Sequence, residues 1–386
     1  MLPHWNGSHR VRRRALRVLA AATATLAALG IAELALRVAA GFQNRSTLEA
    51  AWSEARTLPP GSKARLIDLI RPSLDELAIY ELRPGLGSVE FKGAPVTTNR
   101  HGFRGAELDP EPGPDTVTLI GLGDSLMFGH GVGDDEPYLA VLERRLNATR
   151  PERVWRTVNT AAPGYNTVME VATLRSRALA FRPDIVILGL CANDYAPPEY
   201  VRLAEDPTAL DTSFLLELVR GATHSVAASE PRDFLTHKSE WEAEFASLPG
   251  RVPPRYRATV GVEAFRRALD QLAELSKEHG FRVLAFATYE YRFTDEMLAA
   301  ARERGFAVSS LMRELEAQLR REGAAGFDEA AYRRSSLVVG PGNAHPSALQ
   351  HRMAAEHLLG ELERLGWLDR PIRHGSAPLG AVTSRR

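Results

Sequence analysis

Three short apolar runs constrain this chain more than any other feature: 116–122 (TVTLIGL), 184–190 (DIVILGL) and 281–288 (FRVLAFAT). Each is rich in β-branched and aromatic residues and lacks polar alternation. That pattern belongs to strands buried on both faces rather than to one side of a sheet. Helical patterns separate them, over 138–148, 167–181 and 260–279. A further strand is expected over 153–159 and a short fifth one over 307–309, with helices over 295–304 and 346–365. Alternating strands and helices of this length predict an α/β fold, with a central parallel sheet of about five strands covered on both faces.

The N-terminus follows a different rule. Arg10, Arg12, Arg13, Arg14 and Arg17 precede a charge-free run over 18–32, broken by Glu33 and resumed to Leu36. At 1.5 Å per residue, 18–36 reaches roughly 28 Å, close to the roughly 30 Å of a hydrocarbon core. The run therefore reads as one N-terminal transmembrane helix, an uncleaved signal anchor. Its arginines would stay in the cytoplasm, with the rest of the chain outside the bacterial inner membrane, on the periplasmic side. A cleaved signal or a soluble amphipathic helix are the alternatives. The small-x-small triplets lie inside the apolar run, too early for a cleavage site, and no cysteine follows it to carry lipid.

The remaining chain divides into a Pro-, Gly- and charge-rich stalk or flap over 41–110, the main domain over 111–368, and a tail over 369–386 expected to be disordered. An insertion over 195–256 is too long for a plain connection and is placed where a binding site is shaped. Charges balance, with 48 Lys+Arg against 48 Asp+Glu, so nucleic acid is not an expected partner. The single cysteine, Cys191, excludes an intrachain disulfide and a multi-thiolate zinc site.

Ligands of open parallel sheets bind beyond the carboxyl ends of the strands. Here the first strand ends in Gly123-Asp124-Ser125-Leu126, the second in Asn159 through Asn166, and the third in Cys191-Ala192-Asn193-Asp194. A late His345-Pro346 pair opens the last helix. Singly, Ser125 would read as a helix cap, Gly164 as a turn glycine and Asn193 as an Asx turn. Together they offer a hydroxyl nucleophile, a general base and donors for a developing oxyanion.

These blocks resemble the SGNH, or GDSL-type, hydrolases. Gly123-Asp124-Ser125-Leu126 matches the first block of that family, Asn159–Gly164 resembles the second, and Ala192-Asn193-Asp194 the third, with Cys191 where a glycine usually stands. His345-Pro346-Ser347 followed by His351 resembles the last. The chain is also similar to a membrane-anchored bacterial subgroup with an Asn-x-x-Gly-x-Arg-like lead-in, here Asn99 to Arg104. The resemblance implies a three-layer α/β/α sandwich of flavodoxin-like order and a serine esterase that needs no cofactor. It implies Ser125 as nucleophile, His345 as base and later acid, and an oxyanion hole from Ser125, Gly164 and Asn193. Asp124 is then structural. The substrate class is a small-molecule or glycan ester, with O-acetyl groups on a cell-envelope glycan one candidate.

One position departs from the family. Its histidine is usually oriented by an aspartate two or three residues earlier, but here those positions are Asn343 and Gly342. An Asn oxygen can accept from the imidazole Nδ1–H and fix its tautomer without supplying a charge. A Ser-His dyad assisted by Asn343 is one reading; an acid from elsewhere, such as Asp328 or the insertion, is a second; a binding module that has lost catalysis is a third. An O-acyltransferase would use the same residues. Of the remaining candidates, His130 reads as a solvent-facing loop residue able to touch substrate, while Tyr165 and Tyr195 read either as lining the acyl or sugar pocket or as packing tyrosines. A metal site is not expected, since His345 and His351 are six positions apart.

Overall fold

The computed structural model describes residues 7–43, 52, 55–199, 213, 215–216, 252, 254–290 and 293–369. Most of the 195–256 insertion and the tail beyond Asp369 lie outside these residues. The chain divides into two units, one built from residues 1–45 and 202–237 and the other from 46–201 and 238–386.

In the first unit, α1 (Gly7–Gln43) is a continuous helix, and its stretch Arg12–Val38 is long and apolar enough to cross a membrane. Leu19, Leu26 and Ile31 on it are exposed, as a lipid-facing helix requires. Glu33, the one acidic residue in that stretch, is paired with Arg37 one turn on at 2.9 Å. It also accepts from Ser213 Oγ and the Leu215 N–H, so the charge that interrupts the apolar run is neutralised within the unit.

The second unit is a three-layer α/β/α sandwich. Ahead of its central sheet come β1 (Lys63–Ala64), β2 (Ile70–Pro72), β3 (Tyr80–Leu82), β4 (Val89–Phe91) and β5 (Ala94–Val96). The central strands are β6 (Thr116–Leu122), β7 (Val154–Asn159), β8 (Ile185–Leu190), β9 (Arg282–Ala287) and β10 (Ala307–Ser310), in the order β10-β9-β8-β6-β7 and all parallel. Every residue of β6 is buried, whereas every residue of the edge strand β10 is half-exposed, so the apolar runs of the sequence mark the sheet's centre.

Two layers of helices cover the sheet. The helix α2 (Ser125–Phe128) is a single turn; α3 (Tyr138–Thr149), α4 (Thr167–Ser176) and α5 (Val262–His279) follow. Next come α6 (Thr294–Glu303), α7 (Met312–Arg321), α8 (Glu329–Arg334) and α9 (Ala348–Arg364). Helix α9 packs on α3, and α5 packs on α4. In α5 the buried set Phe265, Ala268, Leu269, Leu272 and Leu275 repeats at helical spacing, giving a single apolar stripe.

Chain order makes the site's position inevitable. The sheet grows from β6 to β7, then crosses back to add β8 on the other side of β6. Loops after β6 and β8 therefore diverge and leave a crevice at the carboxyl edge, where an open parallel sheet binds ligands.

Residues 55–110, expected as a stalk or flap, belong to the same compact unit as the sheet. Their buried residues include Tyr80, Val89, Phe91 and Phe103. Arg104 makes the firmest tie. Its backbone bridges Asn159 at the end of β7. Its side chain is 1% exposed, with Nη1 donating to the carbonyls of Phe128 and Gly129 and Nη2 to Val132. Nε meets Asp134 at 3.1 Å, and the guanidinium lies 4.6 Å from the Phe128 ring centre.

One hairpin escaped the sequence reading. β11 (Val338–Gly340) pairs antiparallel with β12 (Asn343–Pro346). The last helix consequently starts at Ala348, after a Ser347 cap that accepts from Gln350 N–H, and not at 346. Pro346 holds the residue before it in extended backbone, which keeps His345 on a strand.

Replacing Arg104 by Met would strand several buried carbonyls and Asp134, so unfolding stability should fall by about 3–5 kcal/mol. Arg104→Lys should recover little, because an ammonium cannot fork between these carbonyls. Urea unfolding of the purified chain checks this; a loss under about 1 kcal/mol would show that the guanidinium is dispensable.

Candidate active site

Strand β6 runs into Gly123-Asp124-Ser125, where the chain turns sharply into α2. Asp124 caps that turn, its Oδ1 accepting from the Leu126 N–H at 2.9 Å. Burial pushes its carboxyl toward the protonated form, partly offset by the Leu126 amide. Ser125 follows as the first residue of the turn, with its hydroxyl 3.3 Å from Asp124 Oδ2.

Hairpin β11–β12 brings the other half of the site. His345 Nε2 lies 2.9 Å from Ser125 Oγ, and His345 Nδ1 lies 2.7 Å from Asn343 Oδ1. The same Asn oxygen accepts from the His345 backbone N–H at 3.2 Å, which fixes the carboxamide's orientation. Since a carboxamide oxygen only accepts, the imidazole proton sits on Nδ1 and Nε2 keeps its lone pair for Ser125. Gly131 makes room for this: at φ +92° its missing Cβ would come 2.7 Å from Asn343 Nδ2. Burial, together with the nearby Lys92 ammonium, holds the imidazole down to about 4.

The loops after β7 and β8 carry the two other residues expected at the site. Gly164 has φ +80°, and a Cβ there would come 2.7 Å from both Tyr80 Oη and Glu199 Cβ, so only glycine fits the turn. Asn193 opens toward the same loop, with one Nδ2 proton donated to the Tyr165 carbonyl at 3.0 Å and the second still available.

The remaining sequence candidates fall differently. Asp328 caps α8 through the Ala331 N–H, so it does not orient His345. Tyr165 is fully buried, its hydroxyl donating to the Tyr80 carbonyl while the Tyr80 hydroxyl donates to Pro163; it braces the Gly164 turn from beneath and does not line a pocket. Tyr195 is likewise buried, against Phe265 and Phe293. His351 is buried and accepts from the Tyr138 N–H, a packing role. Cys191 is buried beside Asp124, and burial raises its thiol strongly.

His130 is the largest correction. Rather than facing solvent, it stacks on Phe91 with centroids 4.9 Å apart, and its Nδ1 lies 2.9 Å from His345 Nε2. Arg104 and the hairpin-tip residue Lys92 were also missed as site residues. The lead-in motif ending at Arg104 signalled the first, but the sequence offers no local sign for Lys92, whose place depends on the β4–β5 turn.

A serine hydroxyl, an imidazole and a carboxamide in hydrogen-bonded order at a sheet's switch point are the arrangement of a serine hydrolase. The model of the GDSL-like lipase/acylhydrolase family matches residues 122–353, and the chain belongs to that family. It is a carboxylic ester hydrolase. No curated protein matches the chain. Similar solved structures include TesA, at 15% identity over 64% of this chain and 99% of that one, with TM-score 0.37. The acetyl xylan esterase AlAXEase is 11% identical over 64% of this chain and 100% of that one, also at TM-score 0.37. Axe2, an acetylxylan esterase from Geobacillus stearothermophilus, is 15% identical over 64% and 94%, again with TM-score 0.37.

A base held down to about 4 is neutral well into the acid range. For a neutral ester, kcat/KM should therefore rise with pH through about 4 and stay level through neutrality, instead of rising near the ordinary histidine value of about 6.5. In Asn343→Asp the added carboxylate favours the imidazolium, so the acid limb should move upward. A pH–rate profile decides it; a wild-type limb at or above about 6.5 would contradict the burial argument.

Proposed function

We propose that the protein is an esterase anchored by α1 in the bacterial inner membrane, with the sheet domain on the periplasmic side, removing O-acyl groups such as acetyl from a cell-envelope glycan. The reading rests on the Ser125–His345–Asn343 chain of hydrogen bonds at 2.9 and 2.7 Å. The arginines before the apolar stretch of α1 support the orientation, and an outward-facing acyl hydrolase meets envelope glycans as its nearest polymeric esters.

In this reading Ser125 Oγ attacks the ester carbonyl carbon while its proton passes to His345 Nε2. The carbonyl electron pair moves onto oxygen, where the Ser125 and Gly164 N–H groups and the Asn193 amide receive it. Collapse expels the alkoxide, which takes the proton from Nε2, and leaves an acyl-serine. Water then repeats both steps with His345 as base, releasing the acid. Asn343 holds the ring and its tautomer throughout.

A fluorophosphonate probe should label the full-length protein and release of acetate from an acetylated glycan should accompany it. Both should vanish in Ser125→Ala. Absence of labelling in folded wild-type protein would sink the hydrolytic reading of this serine. Asn343→Ala should lower kcat about tenfold or more with KM little changed, as expected when an orienting contact is lost. Total loss in Asn343→Asp with retention in Asn343→Ala would remove Asn343 from the orienting role.

A further inference from the structure

Helix α1 is exposed along most of its apolar stretch, and the exceptions share one face. Every described side chain over 12–31 is exposed, whereas Ala32, Glu33, Leu36 and Arg37 are half-buried. Positions i, i+1, i+4 and i+5 lie side by side on a helix. The insertion meets that face at Glu33. Glu33 Oε2 accepts from Ser213 Oγ at 3.0 Å and from the Leu215 N–H at 2.8 Å, while Ser213 Oγ accepts from the Leu216 N–H at 3.2 Å. On the other carboxylate oxygen, Oε1 meets Arg37 Nε at 2.9 Å. The level of this contact follows from the helix rise. With Arg17 at the inner boundary, Glu33 stands roughly 24 Å further on, just inside the far edge of a hydrocarbon core about 30 Å thick. At that depth a carboxylate must be paired, and backbone N–H groups must find acceptors within the protein. Both conditions are met here by the same few atoms.

We propose that the insertion is a second membrane contact: Ser213, Leu215 and Leu216 dock on the outward end of α1 and present Leu216 to the acyl chains of the outer leaflet. This rests on α1 being the anchor described above. Lipid is the partner because the apolar surface continues from one segment to the other. Leu216 is 47% exposed, and at the same end of α1 Leu29, Leu34 and Val38 are exposed as well. The polar groups of the insertion are turned the other way, the Ser213 hydroxyl and the Leu215 N–H both being spent on Glu33. An element with its polar atoms satisfied inward and a leucine left outward suits the edge of a bilayer and not open water. Glu33 gains a purpose in this arrangement. The one acid that interrupts the apolar run is the post on which the insertion is held, with Arg37 balancing its charge.

The test is spin labelling of the full-length chain in vesicles of phosphatidylethanolamine and phosphatidylglycerol. A nitroxide on Leu216→Cys should be reached more readily by molecular oxygen, which concentrates in lipid, than by a water-soluble nickel chelate. Leu26→Cys on α1 supplies the lipid reference, and Leu74→Cys, at a fully exposed position of the other unit, the water reference. The one native cysteine, Cys191, is buried, and the wild-type chain taken through the same labelling is the blank. Glu33→Leu keeps α1 apolar but removes the acceptor for the Ser213 hydroxyl and the Leu215 N–H. The ratio of immobilised to mobile label at 216 should then fall about tenfold, the size of a lost hydrogen bond to a charged group. Glu33→Gln retains an acceptor oxygen and should keep part of the immobilised signal. Nickel access at 216 equal to that at 74, or an unchanged ratio in Glu33→Leu, would overturn the proposal. The label at 26 separates this from the parent reading. Lipid at 26 with water at 216 makes only the insertion contact wrong, whereas water at both shows that α1 is no anchor and both readings fall.

Discussion

A buried guanidinium gathers this site. Arg104 draws the carbonyls of Phe128, Gly129 and Val132 around itself, so the loop after the nucleophile is folded about a cation and not merely capped. Desolvating such a charge is costly, and the Asp134 carboxylate and several carbonyl acceptors offset that cost only if all of them stay in place. The loop they fix carries His130 and Gly131, the residues that touch His345 and Asn343. Because Arg104 also bridges the end of β7, it ties together the segment before the sheet, the nucleophile turn and the second strand end.

Hydrogen-bond distances alone do not make a hydrolase. Ser309 Oγ meets His357 Nε2 at 2.6 Å, and His357 Nδ1 meets Glu314 Oε1 at 2.8 Å, a serine–histidine–acid chain with a true carboxylate. Yet Ser309 sits in regular register with Phe286 inside the β10–β9 ladder. No sharp turn lifts its own N–H beside its hydroxyl. Ser125 differs in following directly on a buried strand, at the head of a helical turn, between loops that supply Gly164 and Asn193. What sets the two apart is the backbone: Ser125 heads a helical turn at a strand end, whereas Ser309 lies within a ladder.

Much of this was legible in the sequence, and the rest was hidden for definite reasons. Continuous apolar runs with turn residues at their ends gave away the sheet, since only strands buried on both faces are written that way. The residues at those ends followed from the strand assignment. Hairpin β11–β12 was not legible, because Val338–Gly340 and Asn343–Pro346 are too short to show a period. His130 could not be placed either: a glycine-flanked loop histidine reads as exposed, and only long-range packing by Phe91 and Arg104 turns it inward. For Tyr165 and Tyr195 the sequence left pocket lining and packing open, since adjacency to a loop says nothing about which side of it a ring takes; both are buried.

The carboxyls buried near Ser125 bear on the proposed role of a neutral Asn343. Asp124, Asp194 and Glu170 are all buried below the crevice, and burial drives each carboxyl upward, Asp194 to about 7. Glu170 has no hydrogen-bond partner among the described residues, which favours its neutral form further. Negative charge under Ser125 would oppose the oxyanion that forms there, and in a low-dielectric site that opposition would be strong. Holding these groups toward neutrality favours the oxyanion. The same absence of negative charge, extended to Asn343, penalises the imidazolium that must appear alongside it.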